Sequence, residues 1–411
     1  MLKVISTQDL TLGMFIHALT GDWIDHPFWK KSFLLEKPAD LIKLQQSIIK
    51  EVLIDTNKGL DVFNKGNDNA TNMQTKTSIA TISSAHEENR LKMTKTSHTP
   101  ISTETARARD ILQSSKKAVS QMFKEVRMGK ALNLASSMAV VDEIADSVER
   151  NKNAFISLAR LKHKDDYTYM HSIAVCALMV ALAKELKFSA AKAKLAGLAG
   201  LWHDIGKVKI PLDILNKSGS LTHEEFSEVK QHPEQGYQLL QTLNVTEPII
   251  LDVCLHHHEK INGTGYPNQL QDDEISLFAK MGAVCDVYDA VTSNRPYKAG
   301  WEPGVALQRM AKWEGHFDPK VFKVLVQSVG IYPIGSMVKL KSGRLAVVID
   351  QNNHALLTPV VKVFFSSKAN ARISYEVLDL AKKHMQDEIV GHEDSVLWGI
   401  HDFNAIWAQE S

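Results

Sequence analysis

Cysteine is scarce in this sequence, and its scarcity argues against two kinds of site. The chain of 411 residues holds three cysteines, Cys176, Cys254 and Cys285, which lie far apart and form no CxxC pair. A zinc site with thiolate ligands and a disulfide framework both need cysteines at closer spacing. We therefore expect buried free thiols, a reducing compartment and a cytoplasmic protein.

Long apolar runs and an excess of charge are also missing. The longest apolar stretch lies within residues 172–186 and is too short for a membrane span, and the N-terminus lacks the apolar core of a signal peptide. The 48 basic and 47 acidic side chains leave a net charge of +1. No global field therefore draws the chain to a DNA or RNA polymer or to an anionic membrane, and any anionic ligand must be held by a local cluster.

The composition divides the chain into five segments. Residues 1–62 mix strand and helix patterns and predict a small α+β or β accessory domain with a regulatory role. Residues 63–105 are rich in Ser, Thr, Asn and Lys and predict a flexible linker. Residues 106–330 show helical periodicity throughout. Residues 331–380 show strand patterns around a Ser-Gly turn, and residues 381–411 are a polar tail. The expected fold class is mainly α: a helical bundle with a small N-terminal domain and a small C-terminal β module.

The motif WHDIGK is the first chemical signal, because it places His203 beside Asp204. Neighbours on a helix point about 100° apart, so one tetrahedral site would not need both side chains. A site with two metals would use the histidine for one ion and let the carboxylate bridge both. An isolated His-Asp pair is more often a surface pair or a helix cap. Here other ligand types follow on neighbouring predicted helices, as in metal sites built into helical cores: His171, His232, His257, His258 and Asp286.

Three motifs in this order, HDIGK, HHEKINGTGYP and CDVYDAVTSNRPYK, resemble the bacterial HD-GYP domains, a branch of the HD superfamily of metal-dependent phosphohydrolases. The resemblance covers about residues 106–329. It implies an all-helical domain that holds two or three divalent metal ions, often iron or manganese, and hydrolyses cyclic dinucleotides, chiefly cyclic di-GMP. It also implies contacts with diguanylate cyclase (GGDEF) domains.

The resemblance places the family's metal ligands on residues of matching type. Glu259 and the Gly-Tyr-Pro triplet set the register, so that His256 has no assigned role. Where some members have a glutamate for a third metal this chain has Tyr167, and we therefore expect two ions, iron or manganese. The implied ligands are His171, His203, Asp204, His232, His257, His258 and Asp286.

Asp204 and Lys207 are the residues that the resemblance implies for catalysis. In such a site two cations activate a water and offset charge on the scissile phosphate. Lys207, one turn after His203, is placed to contact a phosphate oxygen, although a solvated surface lysine is the alternative. Asp289 either orients the site or is a satisfied buried polar group. The implied substrate-binding residues are Lys207, Gly263, Gly265, Tyr266, Pro267, Arg295 and Lys298.

The expected function is a phosphodiesterase of bacterial second-messenger signalling that converts cyclic di-GMP to linear pGpG, and further cleavage of pGpG to GMP stays open. Two alternatives stay open: hydrolysis of the mixed nucleotide 3′,3′-cGAMP, and a non-catalytic module that senses a dinucleotide or docks GGDEF domains. The N-terminal segment resembles an uncharacterised domain that often precedes HD-GYP domains. Its expected roles are sensing, recruitment or the formation of a homodimer.

Overall fold

The structure is a computed structural model. It describes residues 2–19, 33–45, 51–60, 101–131, 133–161, 167–215, 217, 219–293, 300–352, 355–382, 385–395, 397–400 and 403–408. The chain divides into two units, Met1–Met93 and Thr94–Ser411. Most of the predicted linker, residues 63–100, lies outside the described residues.

The N-terminal unit is a small α+β domain, as the sequence predicted. Its sheet has the order β1-β4-β2-β3 and every pair of strands is antiparallel. Met14, Ile16 and Leu44 are fully buried in its core. The elements are β1 (Leu2–Ser6), β2 (Phe15–Leu19), β3 (Phe33–Leu34), α1 (Pro38–Gln45) and β4 (Glu51–Asp55).

The second unit begins with a helical bundle, which confirms the expected fold class. Its central helix is α4, because every residue from 170 to 183 is buried. Helices α2, α3, α5, α10 and α12 pack around α4. The helices are α2 (Ile101–Arg127), α3 (Leu134–Ala159), α4 (Tyr167–Glu185), α5 (Ala190–Trp202), α6 (Leu212–Leu215), α7 (His223–Val229), α8 (His232–Thr242), α9 (Pro248–His256), α10 (Leu277–Thr292), α11 (Pro303–Met310) and α12 (Pro319–Val329). Within the described residues, no helix is long and apolar enough to cross a bilayer.

Helix α2 begins at Ile101, whereas the composition placed the start of this domain at residue 106. The polar sequence of its first turn looks like linker, yet Glu104 is fully buried there. Its carboxylate accepts hydrogen bonds from Arg150 Nε at 2.8 Å and Nη2 at 2.9 Å, and from Ser147 Oγ at 2.7 Å. This buried ion pair anchors the first turn of α2 to α3.

We expect Glu104→Gln to lower the free energy of unfolding at pH 7 by about 1–3 kcal/mol, since a charge-assisted hydrogen-bond pair is lost. Burial raises the pKa of Glu104, but Arg150 and Ser147 hold it below its ordinary value of 4.5. A carboxyl with a lowered folded-state pKa stabilises the protein above that ordinary value, and the contribution is lost as the pH falls through the folded-state pKa. Urea unfolding of wild type and Glu104→Gln at several pH values measures the difference in unfolding free energy, with the exposed Glu143→Gln as control. A difference that does not change with pH would contradict a charged, paired Glu104.

The C-terminal β module is a five-stranded antiparallel sheet of order β8-β7-β6-β5-β9. The predicted Ser-Gly turn joins β5 to β6, and Gly343 has the positive φ of 84° that this turn needs. The sheet does not end at residue 380, because the tail supplies β9 and a helix that packs Phe403 and Ile406 against Phe364. Strand β9 is too short for a clear alternation of apolar residues. The elements are β5 (Met337–Leu340), β6 (Arg344–Asp350), β7 (Val360–Ser366), β8 (Ala371–Asp379), β9 (Ile389–His392) and α13 (Phe403–Ala408).

Candidate metal centre

The bundle brings the seven predicted ligands together in its core. His171 lies one turn after the start of α4, and Asp286 lies in the middle of α10. The other five follow α5, begin α8 or follow α9: His203, Asp204, His232, His257 and His258. All but His258 are buried.

The ligands form two groups around Asp204. Asp204, His232, His257 and His258 offer atoms within 4.8 Å of one another, and so do His171, His203 and Asp286. Asp204 Oδ1 lies 3.2 Å from His232 Nε2 in the first group. Asp204 Oδ2 faces the second group, 3.4 Å from His203 Nε2 and 3.5 Å from His171 Nε2. The carboxylate therefore stands between two ligand groups, as a bridging ligand would.

Hydrogen bonds at Nδ1 orient the histidine rings. Nδ1 of His203 lies 2.7 Å from the Gly200 carbonyl, Nδ1 of His232 lies 2.7 Å from the Val229 carbonyl, and Nδ1 of His257 lies 3.0 Å from the Val253 carbonyl. Because a carbonyl oxygen only accepts, each Nδ1 carries the proton and each Nε2 presents a lone pair. Such partners fix the ring tautomer of metal-binding histidines.

Apart from the ammonium of Lys207, the atoms that converge in this centre are mostly acceptors. His232 Nε2 and His257 Nε2 lie 3.3 Å apart, and His171 Nε2 and His203 Nε2 also lie 3.3 Å apart. Asp204 Oδ1 is buried without a hydrogen-bond donor among the residues that the structure describes. Facing lone pairs and an unpaired carboxylate oxygen are costly unless a cation lies between them. The donor set of imidazole and carboxylate fits divalent iron, manganese, zinc, cobalt or nickel.

The protonation states of His257, His258 and Asp204 agree with metal binding. Burial lowers the pKa of His257 well below its ordinary value, and it lowers that of His258 to about 3. Burial raises the pKa of Asp204, but the Lys207 ammonium opposes this shift, and that pKa lies well below the usual range. At neutral pH these rings are therefore neutral and the carboxylate is charged, which are the forms that bind cations.

The GYP loop, residues 261–270, is anchored beside the first group by Glu259. This buried carboxylate accepts the backbone N–H of Asn268 at 2.7 Å and that of Leu270 at 3.1 Å. Tyr266 stacks on the His258 ring with 4.7 Å between centroids. Gly265 is needed for close approach, since an added Cβ would lie 2.4 Å from Glu259 Cα. Gly265 is therefore needed because the backbone of the same chain approaches it closely. Gly263 has a positive φ of 74°.

We expect Glu259→Gln to loosen this loop without removing the metal ligands, because the amide replaces one of two carboxylate acceptors with a donor. Leaving a buried N–H unpaired costs about 1–3 kcal/mol. Hydrogen exchange at Asn268 and Leu270 should accelerate about 10-fold or more. Glu274→Gln is the matched control, because Glu274 accepts a single exposed N–H, from Gln271 at 2.7 Å. Unchanged protection at both amides would show that Glu259 does not hold the loop.

The remaining predicted residues have the following positions. Lys207 Nζ lies 2.5 Å from Asp204 Oδ2, so the lysine is part of the centre and not a solvated surface side chain. His256 is outside both groups and pairs with Asp252 at 2.7 Å. Tyr167 begins α4, one turn before His171. Arg295 and Lys298 lie outside the described residues.

Asp289 has a role that the sequence left open. Its Oδ2 lies 2.6 Å from His171 Nδ1, and its Oδ1 accepts from Ser293 Oγ at 3.3 Å. The carboxylate orients the His171 ring in the way that backbone carbonyls orient the other histidines. Only its spacing of three residues from Asp286 could have indicated this contact from the sequence.

Comparison with family models gives two matches. A model described as HD domain matches residues 109–321, and a model described as domain of unknown function (DUF3391) matches residues 2–136. The first covers the bundle with all seven ligands. The second covers the N-terminal unit and extends into the first helices of the bundle.

Curated relatives and solved structures are also similar to this chain. The cyclic di-GMP phosphodiesterase PA4108 of Pseudomonas aeruginosa is 48% identical over 408 residues, 99% of this chain and 96% of that one. The 3′3′-cGAMP-specific phosphodiesterase 1 of Vibrio cholerae is 34% identical over 167 residues, 40% of this chain and 38% of that one. The structure of Bd1817, a HDG"Y"P protein from Bdellovibrio bacteriovorus, is 18% identical with a TM-score of 0.46, over 79% of this chain and 98% of that one.

Proposed function

Because the chain belongs to the HD domain family, we propose that it is a metal-dependent phosphodiesterase that hydrolyses cyclic di-GMP to linear pGpG. The observation that supports hydrolysis most strongly is the position of Asp204, whose two oxygens face different ligand groups. The substrate is inferred from the Pseudomonas relative, which is similar over almost the whole of both chains.

We propose that the two groups hold two divalent ions, iron or manganese, with Asp204 as their shared ligand. His232, His257 and His258 would complete one set, and His171, His203 and Asp286 the other. When bound, two such ions lower the pKa of a water and neutralise charge on the phosphate. The chain supplies the rigid geometry: ring orientation through Nδ1 and burial that keeps the ligands in their binding forms.

Lys207 is proposed as the residue that contacts the scissile phosphate. Its ammonium lies at the edge of the centre, with 23% of the side chain exposed and the nitrogen against Asp204. A cation in this position can bind a phosphate oxygen and offset the charge that develops during in-line displacement of the 3′-oxygen.

The GYP loop and two basic residues farther along the sequence are proposed to hold the rest of the substrate. Tyr266 stacks on His258, so the GYP loop borders the first group. Gly263, Gly265 and Pro267 shape that loop. Arg295 and Lys298 are proposed to contact guanine or phosphate, for which the planar fork of arginine is suited.

Three further proposals concern the setting of the enzyme. GGDEF-domain proteins are proposed partners, with the GYP loop as the contact, and a homodimer is proposed through the N-terminal unit. The three cysteines are buried and free, which suits a reducing compartment such as the cytoplasm.

Product analysis tests the substrate assignment. The protein loaded with Mn²⁺ is incubated separately with cyclic di-GMP, 3′,3′-cGAMP and pGpG, and the products are separated by chromatography. We expect pGpG from cyclic di-GMP at the highest kcat/KM. Faster hydrolysis of 3′,3′-cGAMP would favour the alternative that the Vibrio relative suggests. Formation of GMP from pGpG would show the second step.

A further inference from the structure

Arg160, which follows helix α3, connects the C-terminal β module to the bundle beside the metal centre. Its Nη2 donates to the Ile334 carbonyl, just before β5, at 3.3 Å. Its guanidinium carbon lies 5.8 Å from the centre of the Trp407 ring in α13. A Cβ added to Gly335, whose φ is 80°, would lie 2.5 Å from Arg160 Nη2 and 2.8 Å from Trp407. The β module therefore encloses this side chain closely.

Arg160 lines a small cavity together with residues of helices α3 and α10. Tyr288, Asp289 and Thr292 line it from α10, and Asn153 and Ser157 line it from α3. The cavity has a volume of about 20 Å³, enough for one water. Arg160 and Asp289 therefore share one cavity, in which a single water can bridge the guanidinium and the carboxylate.

The opposite charges of Arg160 and Asp289 favour such a bridge between them. Burial lowers the pKa of Arg160, while Tyr288, Glu302 and Asp289 oppose the shift through electrostatic attraction. An arginine keeps its proton in proteins, so the buried cation needs an anionic neighbour. Asp289 is buried in the same wall and has 3% of its side chain exposed.

The same carboxylate orients a ligand. Asp289 Oδ2 lies 2.6 Å from His171 Nδ1, and His171 Nε2 faces Asp286 Oδ1 at 3.0 Å. A shift of Asp289 would rotate the His171 ring and displace the nitrogen that a metal would bind. Groups that orient a ligand in this way are typically worth 10–100-fold in metal affinity.

We propose that Arg160 is a positioning residue for the ligand group of His171, acting through Asp289, and that the β module contributes to the metal centre by holding the guanidinium in place. The inference rests on the proposed function only in taking the His171 group to hold a metal. It gives the β module a role in the site although none of its described residues belongs to either ligand group.

The test measures binding of Mn²⁺ to the full-length metal-free protein, in competition with a chelating dye and without substrate. We expect Arg160→Gln to weaken one of two Mn²⁺ affinities by about 10-fold or more and to leave the other within about 2-fold. Arg160→Lys should recover most of the loss, and Trp407→Leu should weaken the same affinity to a smaller extent. Arg150→Gln is the matched control, since it removes a partly buried arginine of α3 that pairs with Glu104.

A double-mutant cycle separates positioning from a general loss of stability. In the Asp289→Asn background, Arg160→Gln should cause little further loss of Mn²⁺ affinity, because the two residues act in series. The inference would be overturned if the losses of Mn²⁺ affinity from Arg160→Gln and Asp289→Asn add in the double variant. It would also be overturned if both Mn²⁺ affinities of Arg160→Gln stay within about 2-fold of wild type. If Arg160→Gln does not fold, a wild-type Mn²⁺ affinity in Trp407→Leu would overturn it. Wild-type protein that binds Mn²⁺ but hydrolyses no cyclic dinucleotide would refute the proposed function and not this inference.

Discussion

Asp204→Asn is expected to abolish turnover of cyclic di-GMP, with kcat at least ~10³-fold below wild type. One lost electrostatic contact in a preorganised site typically costs 10²–10³-fold, and this carboxylate serves both ligand groups. The asparagine keeps the size of the side chain but replaces one acceptor with an amide donor that faces histidine lone pairs. Metal content should fall together with activity, since neither group retains its anionic bridge.

The control for this variant is Asp252→Asn. Asp252 also pairs with a histidine, His256, at 2.7 Å, but both residues lie outside the two ligand groups. Metal analysis and steady-state kinetics on the two variants compare the positions. Full metal content with normal kcat in Asp204→Asn would show that Asp204 is not a bridging ligand.

Lys207→Ala is expected to lower kcat by ~10²–10³-fold while both metal ions stay bound, because the lysine supplies charge stabilisation and no metal ligand. Removing the ammonium also removes a cation from the Asp204 carboxylate, so metal affinity should not decrease. Lys209→Ala is the matched control. Lys209 belongs to the same short 3-10 helix, Ile205–Lys209, but its side chain is exposed.

Kinetics and metal content have to be measured on the same samples. A loss of kcat together with loss of metal would place Lys207 among the groups that hold the centre together. Near-normal kcat with full metal content would show that Lys207 does not contribute to the transition state.

The candidate ligands could be named from the sequence because their motifs resemble those of the HD-GYP domains. His203 and Asp204 are adjacent, and the resemblance of Glu259 and the Gly-Tyr-Pro triplet sets the register of three successive histidines. The structure brings these residues together without exception, while His256 turns to Asp252. Helix periodicity alone could not have chosen between His256 and His258.

Contacts between distant segments were not predictable from the sequence. Glu259 was used only as a marker of register, yet it is the buried acceptor that anchors the GYP loop. Arg160 and Trp407 are far apart in sequence and neither belongs to a motif, so only the packing of the β module relates them to the site. The C-terminal tail belongs to the sheet through β9. Strand β9 pairs with β5 through backbone hydrogen bonds, which the amino-acid composition of the tail does not indicate.

We propose above all that two metal ions, joined by Asp204, make this chain a cyclic di-GMP phosphodiesterase. The most direct measurement adds Mn²⁺ stepwise to the metal-free protein under anaerobic conditions and follows pGpG formation at each step. We expect activity to rise to a plateau at two equivalents of bound metal per chain. Two bound equivalents without hydrolysis of any cyclic dinucleotide would contradict it, and a plateau near three would contradict the dinuclear centre.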